Sequence, residues 1–190
     1  MTRKFLALAA VAAAVPLLQG CFPLAVTGMG TAALMTADRR TTGMYIEDES
    51  IEWRVLGLMR EGFPGAHVNA TSFNRRVLLT GEAPDEAMKK KVEDAVRRIQ
   101  NVREVTNELY VAAASSMAAR GNDALVTSNV KARMVNNGRF SPNHVKVLTE
   151  GGVVYLMGIV TPAEGDAAVE IARNTAGVAR VVKVFEYLGG

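Results

Sequence analysis

The chain contains a single cysteine, Cys21, within the stretch PLLQGCF at residues 16–22. One thiol cannot form an internal disulfide or complete a cysteine-rich zinc site. Arg3 and Lys4 give the chain a positive start, and about 14 apolar residues follow at 5–18. That is the length of a signal-peptide core, and it is too short to span a bilayer. A buried free cysteine, the alternative, would not explain these flanks.

The residues LQGC at 18–21 resemble the lipobox of bacterial lipoproteins. The resemblance implies that residues 1–20 are a signal peptide and that Cys21 becomes an acylated N-terminus carrying palmitate-like chains. Phe22 stands where an aspartate would signal retention in the inner membrane, so the resemblance implies an outer-membrane location facing the periplasm. Because each buried methylene contributes about 0.8 kcal/mol, two or three acyl chains hold a protein firmly.

Other residues suited to chemistry are sparse in the sequence. The two histidines, His67 and His144, hold equivalent positions in two halves of the chain, and neither has a cysteine or an acidic cluster beside it in sequence. A metal site shared between them is therefore not expected. The sequence contains no nucleophile motif, phosphate-binding glycine loop or HExxH motif. We therefore expect a protein that is not an enzyme and has no cofactor or metal.

The charge balance argues against a nucleic-acid partner. The chain has 22 basic and 19 acidic residues, a net charge of +3. The signal peptide contains two of the basic residues and no acid, so the mature chain carries +1. A nearly neutral chain lacks the basic surface that nucleic acid requires.

The remaining sequence is a repeat. Residues 74–87, NRRVLLTGEAPDEA, align with residues 151–164, GGVVYLMGIVTPAE, at an offset of 77, and the two histidines match at the same offset. Self-similarity at a fixed offset indicates a duplicated unit. We define domain 1 (residues 45–111) and domain 2 (residues 122–190), with a tether at 21–44 and a linker at 112–121.

Each domain is predicted to follow the order α-β-β-α-β. Apolar residues recur at helical spacing first, two alternating strands with a tight turn come next, and a second helix and a final strand follow. Thr161 and Glu164 predict a capping box at the second helix of domain 2. The fold class is α+β, with two helices on a small three-stranded mixed sheet in each domain. Because a domain of about 65 residues is marginal alone, the two are expected to pack together.

The element order, the glycines Gly81 and Gly158 that end the second strands, and the pattern of Gly177, Val178 and Val181 at the last strand resemble the BON domain. A lipobox followed by two such domains resembles the dual BON-domain outer-membrane lipoproteins of the DolP (YraP) type. The resemblance implies a protein that binds anionic phospholipid of the phosphatidylglycerol kind through the first helix of domain 2 and supports outer-membrane integrity.

That helix is predicted on residues 123–140. Val126, Val130 and Met134 form its core stripe, which turns Leu125 outward. An outward leucine near arginines suits a membrane interface, and a solvated helix with one exposed leucine is the alternative. Residues 120–190 carry a net charge of +2 and residues 45–110 carry −2, which also favours domain 2 for an anionic partner. The predicted lipid contacts are Leu125, Ser128, Asn129, Ala132, Arg133 and Arg139.

A second class of function stays open, in which the chain is an interaction module that contacts an envelope assembly or cell-wall remodelling protein. Trp53 bears on this alternative, since it lies opposite the core stripe of its own helix. We expect Trp53 to be buried against domain 2 or the tether, and a protein-contact hot spot is the alternative.

Overall fold

Both halves of the chain fold with the predicted α-β-β-α-β order. The computed structural model describes residues 38–189. Domain 1 contains α1 (Thr42–Gly62), β1 (His67–Phe73), β2 (Arg76–Ala83), α2 (Glu86–Val96), β3 (Glu104–Asn107) and β4 (Tyr110–Val111). Domain 2 contains α3 (Met117–Val135), a 3₁₀ turn (Pro142–His144), β5 (Val145–Glu150), β6 (Val153–Val160), α4 (Pro162–Arg173) and β7 (Arg180–Tyr187). The predicted α+β class is confirmed.

Each sheet is mixed, as predicted. A hairpin pairs antiparallel, β1 with β2 and β5 with β6, and the last strand runs parallel to the second strand of the hairpin. In domain 1 the last strand is interrupted after Asn107, whose side chain accepts a hydrogen bond from the Leu109 N–H at 3.2 Å. Pairing with β2 resumes at β4. Domain 1 therefore has a fourth, two-residue strand where the sequence predicted one continuous strand.

The hairpin turn is built in the same way in both domains. Its two residues, 74–75 or 151–152, all have positive φ between 53° and 73°, as a type I′ turn requires. A buried aspartate of the preceding helix accepts hydrogen bonds from both turn N–H groups. The N···O distances are 2.8 and 2.7 Å to the Asp48 carboxylate in domain 1, and both are 2.9 Å to the Asp123 carboxylate in domain 2. The carboxylate thus fixes the hairpin against its helix.

The helices cover one face of each sheet, and the two sheets pack against each other through their other faces. This arrangement is possible because successive side chains along a strand point to opposite faces of the sheet. On β2, Val77 and Leu79 join the helix-side core, whereas Leu78 points to the opposite side. Leu78 lies in a buried cluster shared by both domains, with Phe73, Val153, Tyr155, Met157 and Val184. The expected packing of the two domains is therefore present.

Capping residues move two boundaries away from the positions predicted from sequence. Helix α1 begins at Thr42, inside the predicted tether, because the Thr41 hydroxyl accepts from the Met44 N–H at 3.2 Å. Helix α3 begins at Met117, inside the predicted linker, where Ser116 caps it. The capping box of Thr161 and Glu164 is present as predicted.

Residues 38–40 of the predicted tether, just before α1, are held by both domains. The Arg39 guanidinium donates to both carboxylate oxygens of Glu164 in domain 2 at 2.7 and 2.9 Å. Arg40 donates to Asp48 at 3.0 Å and lies 4.0 Å from the centre of the Phe73 ring. Residues 38–40 are therefore part of the folded unit.

Candidate functional site

The predicted lipid contacts lie on the solvent side of α3 and just beyond its end. The helix buries Asp123, Val126, Val130 and Met134, and Leu125 is 66% exposed. Three- and four-residue spacing places Ser128, Asn129 and Ala132 on the same exposed face as Leu125. Arg133 and Arg139 are also exposed, Arg133 at the edge of this face and Arg139 in the loop after the helix.

Two further apolar residues extend this face. Met117 is 80% exposed and Val135 is 65% exposed. At 3.6 residues per turn, Met117 and Val135 each lie about 80° from Leu125 around the helix axis, in the same direction. Sequence reasoning missed Met117 because it placed the start of the helix near Asp123, six residues too late. The three exposed apolar side chains lie within about 80° of one another around the helix and are spread along nearly its whole length; we call them the α3 line.

The basic side chains near the α3 line differ in whether they already have a hydrogen-bond or ion-pair partner. The Arg133 guanidinium donates to the Asn174 carbonyl at the end of α4 and to the Thr175 hydroxyl at 3.3 Å. Arg139 pairs with Glu170 at 2.6 Å. Lys131, which sequence reasoning left out, is exposed and forms no ion pair with any described residue. Among the described basic side chains of α3 and the loop after it, Lys131 is therefore the one that no ion pair or hydrogen bond already engages.

The side of domain 2 next to Arg139 is acidic. A shallow hollow of about 510 Å³ there is lined by Glu164, Asp166 and Glu170 as well as by Arg139. Carboxylates in this number repel an anionic headgroup. The Arg139 side of α3 is therefore electrostatically less favourable for an anionic group than the Lys131 side.

Each histidine has a carboxylate beside it that the sequence did not reveal. The Nδ1 atom of His67 lies 2.8 Å from Glu82, its partner across the β1–β2 ladder. The Nδ1 atom of His144 lies 3.2 Å from Glu164, in the first turn of α4. The sequence places no acidic cluster next to either histidine, but in the fold each histidine has a glutamate within hydrogen-bond distance.

Trp53 is 69% exposed, so the expectation that it is buried against domain 2 is wrong. It borders a groove of about 430 Å³ between α1 and the edge strand β1. Apolar groups from Leu56, Val68 and Ala70 line the floor, and Glu49 and Glu52 are also among the lining residues. In this groove an exposed aromatic ring borders a concave surface of domain 1.

Cys21, the predicted acylation site, lies outside the described residues. Within residues 38–189, no helix combines the length and the apolar character needed to cross a bilayer.

Comparison with known proteins decides the family. Residues 47–113 and 122–189 each match the BON domain. The chain belongs to the BON domain family. It is 38% identical over 174 residues to the outer membrane lipoprotein DolP of Haemophilus influenzae, covering 90% of each chain. Two BON domains and this similarity confirm the predicted dual BON-domain family of the DolP type.

Two further relatives match most of the chain. The 21 kDa hemolysin of Actinobacillus pleuropneumoniae is 32% identical over 154 residues, covering 80% of this chain and 79% of the relative. The osmotically-inducible protein Y of Escherichia coli is 26% identical over 144 residues, covering 73% and 72%.

Proposed function

We propose that this chain is an outer-membrane lipoprotein that faces the periplasm, is anchored through acylated Cys21, and binds anionic phospholipid through α3 to support outer-membrane integrity. The anchor and location are supported by the lipobox-like LQGC sequence and by the similarity to a protein named as an outer membrane lipoprotein. The observation that carries the lipid-binding part is the α3 line, with Leu125 at its centre and 66% exposed.

The α3 line suits a helix lying flat on a membrane. Met117, Leu125 and Val135 would enter the headgroup boundary, where burial of an apolar side chain contributes about 1.5 to 3 kcal/mol when complete. Lys131 and Arg133 would meet lipid phosphates, at about 1 kcal/mol for each cation near an anionic surface. Because the acyl anchor already holds the chain at the membrane, a contact of this modest strength is sufficient to orient it.

The test is vesicle binding by soluble residues 22–190, which lack the acyl anchor. We expect sedimentation with phosphatidylcholine vesicles that contain phosphatidylglycerol, little sedimentation with phosphatidylcholine alone, and weaker binding as salt rises. Equal binding to both vesicle types, or binding to neither, would argue against anionic lipid as the ligand. The anchor and the location would be unaffected by that result, since they rest on Cys21.

A second candidate function is a protein-interaction module, and the exposed Trp53 beside its groove favours it. Exposed tryptophans are frequent among the residues that dominate protein interfaces. The test is a photo-crosslinking amino acid placed at position 53 in cells, with position 46 on the same helix as control, since Ile46 is also exposed, at 63%. A single protein adduct from position 53 that position 46 does not give would support this candidate.

A further inference from the structure

A histidine and two glutamates meet where the two BON domains touch. His67 on β1 and Glu82 on β2 are direct partners in domain 1, and their side chains share the face that packs on domain 2. Glu150, at the end of β5 in domain 2, faces them. One ligand atom from each of the three side chains lies within 4.8 Å of those from the other two.

This cluster is largely withdrawn from water. The side chains of His67 and Glu82 are 22% and 11% exposed, and Glu150 is 7% exposed. The Glu150 carboxylate accepts from the Asn69 amide at 2.8 Å and from the Thr80 hydroxyl at 3.3 Å, both in domain 1. These neutral donors hold Glu150 in place across the interface.

The two carboxylates of the cluster have no lysine or arginine partner in the described part of the chain. Among residues 38–189, neither Glu82 nor Glu150 forms an ion pair with a lysine or arginine, and the basic group that contacts Glu82 is the His67 imidazole. Two closely spaced, poorly solvated carboxylates repel each other when both are ionised, so a cation bound between them would be stabilised.

We propose that His67, Glu82 and Glu150 bind a Zn²⁺ ion that joins the two BON domains. An imidazole nitrogen and carboxylate oxygens are zinc ligands at about 2.0 to 2.2 Å, and three protein ligands with a water molecule complete a tetrahedral site. Such ligand atoms are roughly 3.4 Å apart, so the side chains need only small rotations to close around the ion. Sequence reasoning did not expect this site, because Glu150 is 83 residues from His67 and in the other domain.

The second histidine provides a matched control. His144 also lies beside a glutamate, but the oxygens of that glutamate, Glu164, accept from Arg39 and from the Thr161 N–H. Here the positive charge is already supplied by the arginine. We therefore assign no metal to the His144 pair.

The experiment uses the protein purified from membranes in mild detergent and stripped of metal with EDTA. Zinc chloride is added, and thermal unfolding and competition with a chromogenic zinc chelator are measured. We expect one Zn²⁺ per chain and a rise in Tm of about 5 to 10 °C when free Zn²⁺ reaches about 100 times Kd, because an ion that binds the folded state alone stabilises it.

The variants His67→Asn and Glu150→Gln are each expected to bind Zn²⁺ at least tenfold more weakly and to lose most of the Tm shift. His144→Asn should behave as the wild type. The glutamine can still accept from Asn69 and Thr80, and circular dichroism checks the fold of each variant. A wild-type protein that neither binds Zn²⁺ nor gains stability from it overturns the proposal, as does undiminished one-to-one binding by folded His67→Asn and Glu150→Gln.

Discussion

Replacing Leu125 by glutamate probes the membrane contact at its centre. With 66% of the side chain exposed, about two thirds of the full burial energy of a leucine is available on insertion, roughly 1 to 2 kcal/mol. The new carboxylate adds about 1 kcal/mol of repulsion at an anionic surface. The sum, roughly 2 to 3 kcal/mol, predicts binding that is about 30 to 150 times weaker.

The fold should be unaffected, because Leu125 faces away from the core residues of α3 and an exposed substitution usually changes stability by less than about 0.5 kcal/mol. The assay compares the sedimentation of residues 22–190 with vesicles containing phosphatidylglycerol, over a range of lipid concentration. Far-UV circular dichroism and urea unfolding of the same samples establish that the variant is folded.

Ile46→Glu is the matched control. Ile46 is an aliphatic residue on the first helix of domain 1, and it is 63% exposed. The same change of charge there should leave lipid binding within about twofold of wild type. Two results would refute a membrane contact through α3. One is a folded Leu125→Glu protein that binds the vesicles as tightly as wild type, and the other is an equal loss of binding in both variants.

Three further predictions concern the anchor, the cations and the pH dependence. Cys21→Ala should accumulate as unprocessed precursor, and radiolabelled palmitate entering it at the wild-type level would disprove acylation at this residue. Glu170→Gln releases the arginine it pairs with and should strengthen binding to anionic vesicles by about fivefold at low salt, from about 1 kcal/mol for one freed cation. Asp94→Asn removes the same charge from an exposed ion pair in domain 1, and an equal gain there would show that only net charge matters. The hydrogen bond from Arg39 lowers the pKa of Glu164 to about 2 from its ordinary 4.5, so this ion pair stabilises the folded state fully above about pH 4.5 and is lost as the pH falls toward 2. Arg39→Ala should therefore lower the free energy of unfolding by about 1 to 2 kcal/mol at pH 7 and by less at pH 3. If urea unfolding gives the same difference in stability between wild type and variant at both pH values, this assignment is contradicted.

Local patterns in the sequence predicted the element order and the core of each domain. Val126, Val130 and Met134 are buried as their helical spacing indicated, and the capping box at Thr161 formed as predicted. Such patterns report contacts within one helical turn or one strand pair, so they can be recognised without knowing the rest of the fold. The outward direction of Leu125 followed from the same periodicity.

Helix ends were predicted less well. Ser116 caps α3 in a stretch of small residues whose composition resembled a linker. Capping depends on one side-chain hydrogen bond, which composition does not reveal. The extent of the exposed α3 line therefore became visible only in the structure.

The sequence by itself determined that the chain has a lipobox-like start, two copies of one α+β unit, and an outward leucine on the first helix of the second copy. Tertiary structure decided which residues from the two copies meet. Glu150 reaches His67 and Glu82 because the two sheets pack face to face. Trp53 stays exposed because domain 2 packs mainly on the sheet of domain 1 and contacts α1 at Glu52, through Lys146, rather than at Trp53. Contacts between residues about 80 positions apart depend on how whole sheet faces pack, and no local periodicity encodes that packing.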